Sequence, residues 1–165
     1  QRQLAGALEA YIPVSTALSL DNLTDAKAHV SMLRSALSQI EMSLLVGDAH
    51  VSWMEDLESI EMGIRGVAAA GEIPDARAAF ENVSNGLIRA AESFGADSQS
   101  SFYVYHCPMA FKGKGADWLQ AKQGTENPYF GSSMYSCGDE IRKLEWLGTK
   151  TEPASMPAVG GAHSH

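Results

Sequence analysis

Apolar residues between Leu4 and Phe94 recur at alternating steps of four and three, in four separate stretches. This spacing places each set on one face of an α-helix, so the pattern predicts four amphipathic helices. The four sets are Leu4, Leu8, Tyr11, Ser15 and Leu18; Ala26, Val30, Leu33, Leu37, Ile40 and Leu44; Trp53, Leu57, Ile60, Ile64 and Val67; Ala76, Phe80, Val83, Leu87, Ala90 and Phe94.

Capping and turn residues separate the four stretches. Gly47 is predicted to be the C′ residue of the second helix, and Asp48 the N-cap of the third. Gly71 is predicted to end the third helix, and Pro74 opens the fourth. Candidate N-caps precede the second helix: Asp21, Asn22 and Thr24.

The loops between these helices are short, so neighbouring helices should run antiparallel. Pro13 interrupts the pattern of the first helix and is expected to kink or break it. The fold class expected is mainly α: an up-and-down four-helix bundle over residues 3–95, followed by a small C-terminal Cys/Met-containing loop and β-hairpin appendage.

The composition changes after Gly95. Residues 102–106 are aromatic and β-branched, which predicts a strand, and residues 140–146 alternate enough to pair with it as a hairpin. Residues 117–122 are predicted to form one helical turn. The appendage, 102–147, is expected to pack on the bundle within the same domain. The segment 148–165 is rich in Pro, Gly, Ser, Thr and Ala, which predicts a disordered tail.

Charge and length exclude several classes of protein. The chain has twelve Lys and Arg and twenty Asp and Glu, which gives a net charge of −8. This negative charge argues against binding to nucleic acid or to an anionic membrane surface. No apolar run approaches the roughly 20 residues needed to cross a bilayer, so no direct membrane insertion is expected. No signal peptide is recognisable, so we expect a mature chain or a fragment of a longer one.

Enzymatic motifs are missing from the sequence. It contains no G-x-S-x-G, no H-E-x-x-H and no G-x-x-x-x-G-K-[ST]. Cys107 follows His106, but adjacent residues rarely form a nucleophile–base pair, which makes a thiol enzyme the least favoured class. We therefore expect no catalytic residues, and no enzyme.

Sulfur ligands cluster around the two cysteines. Cys107 is preceded by His106 and followed closely by Met109, and Met134 lies three residues before Cys137. Thiolate and thioether together select soft ions such as Cu(I) or Ag(I), and imidazole extends the range toward Cu(II) and Zn(II). These five residues are the candidate metal ligands, although a strand over 102–106 would point His106 away from Cys107.

A disulfide between Cys107 and Cys137 is the alternative. It would stabilise the chain by roughly 3–4 kcal/mol on the chain-entropy model, and the methionines would then be core filler. Weaker metal candidates lie elsewhere: His50 with Trp53 and Met54, His29 with Met32, and the tail residues His163 and His165. Met42 and Met62 fall opposite the apolar stripes of their helices and are expected to be exposed.

Longer motifs in the chain carry a resemblance to a known domain. Residues 105–110 read Y-H-C-P-M-A, residues 115–120 read G-A-D-W-L-Q, and residues 127–138 fit N-P-Y-F-G-x-x-M-x-x-C-G. Residues 11–21 and 77–80 are similar as well. Together, over about Leu4 to Leu147, the chain resembles a bacterial domain of unknown function. That domain occurs in exported proteins and at the C-terminus of periplasmic adaptor (membrane-fusion) subunits of heavy-metal efflux pumps.

The resemblance implies a periplasmic location and a role in copper or silver export. Its implied partners are efflux-pump subunits or a periplasmic metallochaperone. Two functions remain open: a module that binds Cu(I) or Ag(I) and delivers it to, or regulates, the pump; or a disulfide-stapled structural or interaction domain of an efflux adaptor that binds no metal itself.

Overall fold

The computed structural model describes residues 2–97 and 99–145. It is mainly helical, with four long helices: α1 (Arg2–Ser19), α2 (Leu23–Ser38), α3 (Asp48–Ala69) and α4 (Ile73–Phe94). α3 packs along α4, and α1 along α2. The predicted four-helix bundle is therefore confirmed.

The ends of the helices follow the predicted caps only in part. Asn22 is the N-cap of α2, and its side chain accepts a hydrogen bond from the Asp25 N–H at 3.0 Å. α2 ends at Ser38, well before Leu44, so the predicted second helix was too long. Gly47 has a φ of 60° and is the N-cap of α3, and Asp48 is the first residue of that helix. The predicted roles of Gly47 and Asp48 were therefore wrong.

Pro13 does not interrupt α1, which continues through it to Ser19. A proline removes one backbone donor from a helix and usually breaks it. Here the residues on both sides of Pro13 hold the helix in place by burial, since Tyr11 and Val14 are completely inaccessible to solvent. Tertiary packing therefore outweighs the local cost of the proline.

The C-terminal part of the described chain forms a three-stranded antiparallel sheet in the order β2-β1-β3. Its strands are β1 (Phe102–Cys107), β2 (Ala116–Gln120) and β3 (Asp139–Leu144), and a short helical turn, α5 (Ala110–Gly113), joins the first two. The predicted pairing of residues 140–146 with β1 is confirmed as far as Leu144. The helical turn predicted over 117–122 is wrong, because most of it belongs to β2.

The sheet packs against the bundle through aromatic residues. The ring of Tyr11 in α1 stacks on Phe80 of α4 with centroids 5.1 Å apart, and Tyr129 approaches Phe80 at 6.0 Å. The Tyr11 hydroxyl shares a hydrogen bond with Ser84 Oγ at 2.7 Å and accepts one from the Leu119 N–H of β2 at 3.2 Å. One apolar core therefore includes residues of both parts.

The predicted disordered tail, 148–165, lies outside the described residues, as do Trp146 and Leu147. Within the described ranges, no helix has the length and apolar character required to cross a membrane.

Candidate metal centre

The two cysteines meet at the end of β1, the central strand of the sheet. Cys107 ends β1 and is fully buried, whereas Cys137, in the loop before β3, is partly exposed. Their Sγ atoms lie 3.6 Å apart and are not bonded. Two sulfurs that share a tetrahedral metal at about 2.3 Å stand about 3.8 Å apart, so the observed spacing is close to that of a chelating pair.

Asn127 fixes the loop that carries Cys137. It is fully buried, and its side-chain Nδ2 donates to the Cys137 carbonyl at 2.7 Å. Its Oδ1 accepts hydrogen bonds from the backbone N–H groups of Tyr129 and Phe130 at 2.8 and 3.2 Å. The Asn127 N–H donates to the Tyr135 carbonyl at 2.8 Å. One amide side chain thus ties both ends of the 127–137 loop together.

Gly138 allows this loop to close against β1. Its φ of 126° disfavours any side chain. A Cβ at this position would also lie 2.7 Å from Trp118 Cη2 and 2.9 Å from the His106 carbonyl oxygen. Only glycine therefore lets the backbone after Cys137 approach the strand that ends in Cys107.

The two candidate thioethers stand at the surface beside the thiols in sequence. Met109 is 55% exposed just before α5, and Met134 is 37% exposed at the end of a 3₁₀-helix, Gly131–Ser133. The Cys137 N–H donates to the Met134 carbonyl at 3.1 Å, which makes a tight turn between these two candidate ligands. The structure thus brings the two thiols together and leaves both thioethers free of the core.

Exposure is common to the methionines that the structure describes. Methionine is among the residue types most often buried, yet all six in the described part of the chain are exposed: Met32, Met42, Met54, Met62, Met109 and Met134. The exposure expected for Met42 and Met62 is confirmed. Core filler, the role the disulfide alternative gave to Met109 and Met134, is wrong, because neither packs in the core.

His106 faces away from the thiol pair. It is partly exposed, whereas its neighbour Cys107 is buried, as expected for alternate positions of a strand. The His106 Nδ1 lies 2.6 Å from Asp117 Oδ1 on β2. Gly115 lies against the other side of the ring, where a Cβ would approach Cε1 to 2.7 Å. His106 is thus engaged with a carboxylate on the face opposite Cys107.

The Cys137 thiol favours its protonated form. The hydrogen bond between the two thiols, together with burial and the nearby Asp139 charge, raises the pKa of Cys137 above its ordinary value. A soft metal ion would therefore have to displace protons from the pair when it binds. Binding should become stronger as the pH increases.

Asp21 and Arg77 were part of the resemblance. The sequence made Asp21 a candidate N-cap, a role that Asn22 takes instead, and it assigned no role to Arg77. Arg77 Nη2 donates to Asp21 Oδ1 at 2.7 Å and to the Leu18 carbonyl at 2.8 Å, while its Nε donates to the Pro128 carbonyl at 2.9 Å. Asp21 Oδ2 accepts from the Ser132 N–H at 3.2 Å. This Asp21–Arg77 pair joins the end of α1, the start of α4 and the loop that carries the second cysteine.

The weaker metal candidates gain nothing from the structure. Trp53 is 2% exposed within the core, so its indole cannot join His50 and Met54 at the surface. Over residues 2–97 and 99–145, no group of three or more His, Cys, Asp or Glu could hold a metal ion. His163 and His165 lie outside the described residues.

Comparison with known proteins gives one match. A family model described as "Protein of unknown function (DUF3347)" matches residues 7–99, which is more than half of the chain and covers the bundle except for the first residues of α1. No curated protein and no solved structure matches.

Proposed function

Since the chain belongs to the DUF3347 family of proteins of unknown function, we propose a function from its own side chains. In this proposal the protein is a periplasmic module that binds a soft ion, Cu(I) or Ag(I), and takes part in heavy-metal efflux. It delivers this ion to the pump or regulates the pump. The efflux-pump subunits or a periplasmic metallochaperone are its partners.

The observation that carries this proposal is the approach of Cys107 and Cys137. Segments 30 residues apart in sequence bring two unbonded sulfurs to 3.6 Å. Two thiolates with thioethers from Met109 and Met134 would form an all-sulfur shell, which selects Cu(I) and Ag(I) over hard cations. His106 is outside this set, because its ring is turned toward Asp117.

The test is a competition between the reduced protein and a coloured Cu(I) chelator. We expect one ion per chain, at least 100-fold weaker binding in Cys137→Ser, and about tenfold weaker binding in Met109→Leu/Met134→Leu. The matched control is Met32→Leu/Met62→Leu, which removes two exposed thioethers from the helices and should leave the affinity unchanged.

Two outcomes would contradict the proposal. The first is no competition with the chelator. The second is an equal loss of affinity in the control double variant, which would show that copper binds to surface methionines in general.

A second function is favoured by the same short distance. The two sulfurs stand only about 1.6 Å farther apart than in a disulfide, so the pair could be bonded in an oxidising compartment. The protein would then be a structural or interaction domain of an efflux adaptor that binds no metal. A free-thiol count on protein taken from its native compartment tests this: full oxidation there, without bound metal, favours the second function.

A further inference from the structure

A cleft of about 470 Å³ lies where α1 meets β2 and the loop that follows β2. Its apolar lining comes from Ile12 and Leu20 of α1, from Leu119 of β2 and from Ala121. Small-molecule sites in proteins typically enclose roughly 300–1,000 Å³, so this volume suits a ligand rather than a single water. The cavity is called the α1–β2 cleft below.

Two side chains of opposite charge stand together in the lining of the α1–β2 cleft. Lys122 Nζ lies 2.7 Å from Glu126 Oε1. Among the described residues that line the cleft, these are the charged ones, so the charges of its wall sum to zero. An ion pair four residues apart with an exposed lysine contributes little to stability, because water screens both charges. The pair can therefore open for a ligand at small cost.

The backbone that carries this pair is fixed by Gln120, which is buried at the end of β2. Gln120 Nε2 donates to the carbonyls of Lys122 and Gly124 at 3.1 and 2.7 Å, and its Oε1 accepts from the Glu126 N–H at 2.8 Å. A site whose backbone is already ordered loses less entropy when a ligand binds. Both charges are thus presented from a preformed loop.

The apolar lining leaves surface for a ligand to cover. Leu20 is 62% exposed and Ile12 is partly buried, while Leu119 is fully buried. Covering exposed apolar surface is favourable roughly in proportion to the area removed from water. An engineered cavity of about 150 Å³ holds benzene, so this cleft has room for a six-membered ring and a charged head group.

We propose that the α1–β2 cleft binds a zwitterionic amino acid with a large apolar side chain. The ligand's ammonium donates to the Glu126 carboxylate in place of Lys122, its carboxylate accepts from the Lys122 ammonium, and its side chain lies against Leu20 and Ile12. One ion pair is thereby exchanged for two. A ligand with a single charge leaves either Lys122 or Glu126 without a partner, which makes the cleft selective.

The experiment titrates the full, ¹⁵N-labelled chain with L-phenylalanine and follows the backbone resonances of residues 119–126 by NMR. Three further probes each lack one part of the ligand: phenethylamine has no carboxylate, 3-phenylpropanoate has no ammonium, and glycine has no apolar side chain. We expect saturable shifts with L-phenylalanine, at least fivefold weaker binding of each singly charged probe, and no saturation with glycine.

Two variants should change the preference of the cleft in opposite directions. Glu126→Gln removes the partner of the ammonium, so L-phenylalanine and phenethylamine should bind about fivefold more weakly, while 3-phenylpropanoate should not. Lys122→Gln should weaken L-phenylalanine and 3-phenylpropanoate and leave phenethylamine unchanged. A general loss of structure would weaken all three probes alike, so this crossed pattern reports on the two charges themselves.

Three more variants serve as controls. Arg65→Gln removes another ion pair between residues four apart, that with Glu61 of α3, and should leave the binding of L-phenylalanine unchanged. Ala121→Trp places a large side chain at an exposed position of the lining and should abolish binding of every probe. Neither cysteine lines the cleft, so Cys137→Ser should bind L-phenylalanine like the parent protein, whether or not it binds Cu(I).

The proposal is overturned if the shifts grow linearly without saturation, or if either singly charged probe binds as tightly as L-phenylalanine. It is also overturned if Arg65→Gln weakens binding as much as Lys122→Gln does, or if Ala121→Trp still binds L-phenylalanine, because the ligand would then lie elsewhere on the protein.

Discussion

Two buried amide side chains, Asn127 and Gln120, serve the backbone of the loops around the cysteines. Gln120 Oε1 accepts hydrogen bonds from Trp118 Nε1 and the Glu126 N–H, and its Nε2 donates to the carbonyls of Lys122 and Gly124. Asn127 likewise hydrogen-bonds to backbone groups of the 127–137 loop. Buried backbone groups outside helices and strands need such partners. Both residues can therefore be essential for the fold without binding any ligand.

Replacing Asn127 should expose this dependence. Asn127→Ala leaves the Cys137 carbonyl and two backbone N–H groups without partners inside the protein, and we expect a loss of about 3 kcal/mol in the free energy of unfolding. Urea denaturation measures it. Gln123→Ala removes an exposed amide that donates a hydrogen bond to the exposed Glu140 side chain and should cost less than about 0.5 kcal/mol. Equal costs for the two variants would contradict this account.

Gly131 and Gly124 both have a positive φ, but they differ in what an added side chain would meet. A Cβ at Gly131, with a φ of 57°, would overlap the Asp21 carboxylate and the Arg77 guanidinium, whereas a Cβ at Gly124, with a φ of 99°, meets nothing within 4 Å. Gly124→Ala should therefore cost only backbone strain, about 1–2 kcal/mol. Gly131→Ala should cost at least about 2 kcal/mol more, measured by thermal or urea unfolding. Similar losses would show that the close approach at Gly131 is unimportant.

At the scale of elements, the Asp21–Arg77 pair connects the bundle to the appendage through polar contacts. It joins three segments that are distant in sequence, and the Arg77 side chain is only 12% exposed. Hydrogen bonding to Ser132, followed by Arg77, holds the pKa of Asp21 below its ordinary value of 3.8. The ionised carboxylate is therefore favoured in the folded state.

This shift predicts a specific acid sensitivity. A lowered folded pKa gives stability that is complete above pH 3.8 and is lost as the pH falls through the folded value. Unfolding free energies measured between pH 6 and pH 2.5 should fall more steeply for the parent protein than for Asp21→Asn. Asp97→Asn, which removes an exposed carboxylate near Arg2, is the control and should retain the parent slope.

The helices could be predicted from the sequence because each buries one continuous stripe. The exceptions are instructive. Ile40 and Leu44 continue the pattern of α2, yet the helix ends at Ser38, and Leu44 is exposed. Residues 116–120 carry no decisive local pattern. They form a strand because β1 offers a partner, with Trp118 opposite Tyr105, and a single-sequence pattern does not contain that information.

Only part of the candidate site could be predicted from the sequence. The spacing of Cys107 and Cys137 with nearby methionines indicated a sulfur site, and the sulfurs do converge. The roles of Asn127 and Arg77 could not be derived, because their partners are backbone groups in remote segments. The only signal for them was their place in the longer motifs, which does not distinguish a structural residue from a ligand.

At the scale of the whole molecule, the bundle and the sheet depend on the same core. The Tyr11 hydroxyl of α1 is hydrogen-bonded to Ser84 of α4 and to Leu119 of β2. Burial raises the pKa of Tyr11 far above its ordinary value. Phe80 contacts both Tyr11 and Tyr129. Removing the appendage would leave these groups uncovered and the tyrosine hydroxyl without one of its partners.

We therefore expect one cooperative unfolding transition for the described parts. In protein labelled with 5-fluorotryptophan, Trp53 reports on the bundle and Trp118 on the sheet within the same molecule. Their ¹⁹F resonances should disappear at the same urea concentration, since each part buries surface of the other. A sheet signal lost at clearly lower urea would show that the appendage unfolds by itself.

The exposure of the six methionines has a chemical consequence. Mild peroxide should convert their side chains to sulfoxides without opening a cavity, because none of them supports the interior. The oxidised protein should keep its far-ultraviolet circular dichroism while its mass increases by up to six oxygen atoms over residues 32–134. Damage of this kind would remove the thioethers from a molecule that remains folded, and a repair reductase could restore them without refolding.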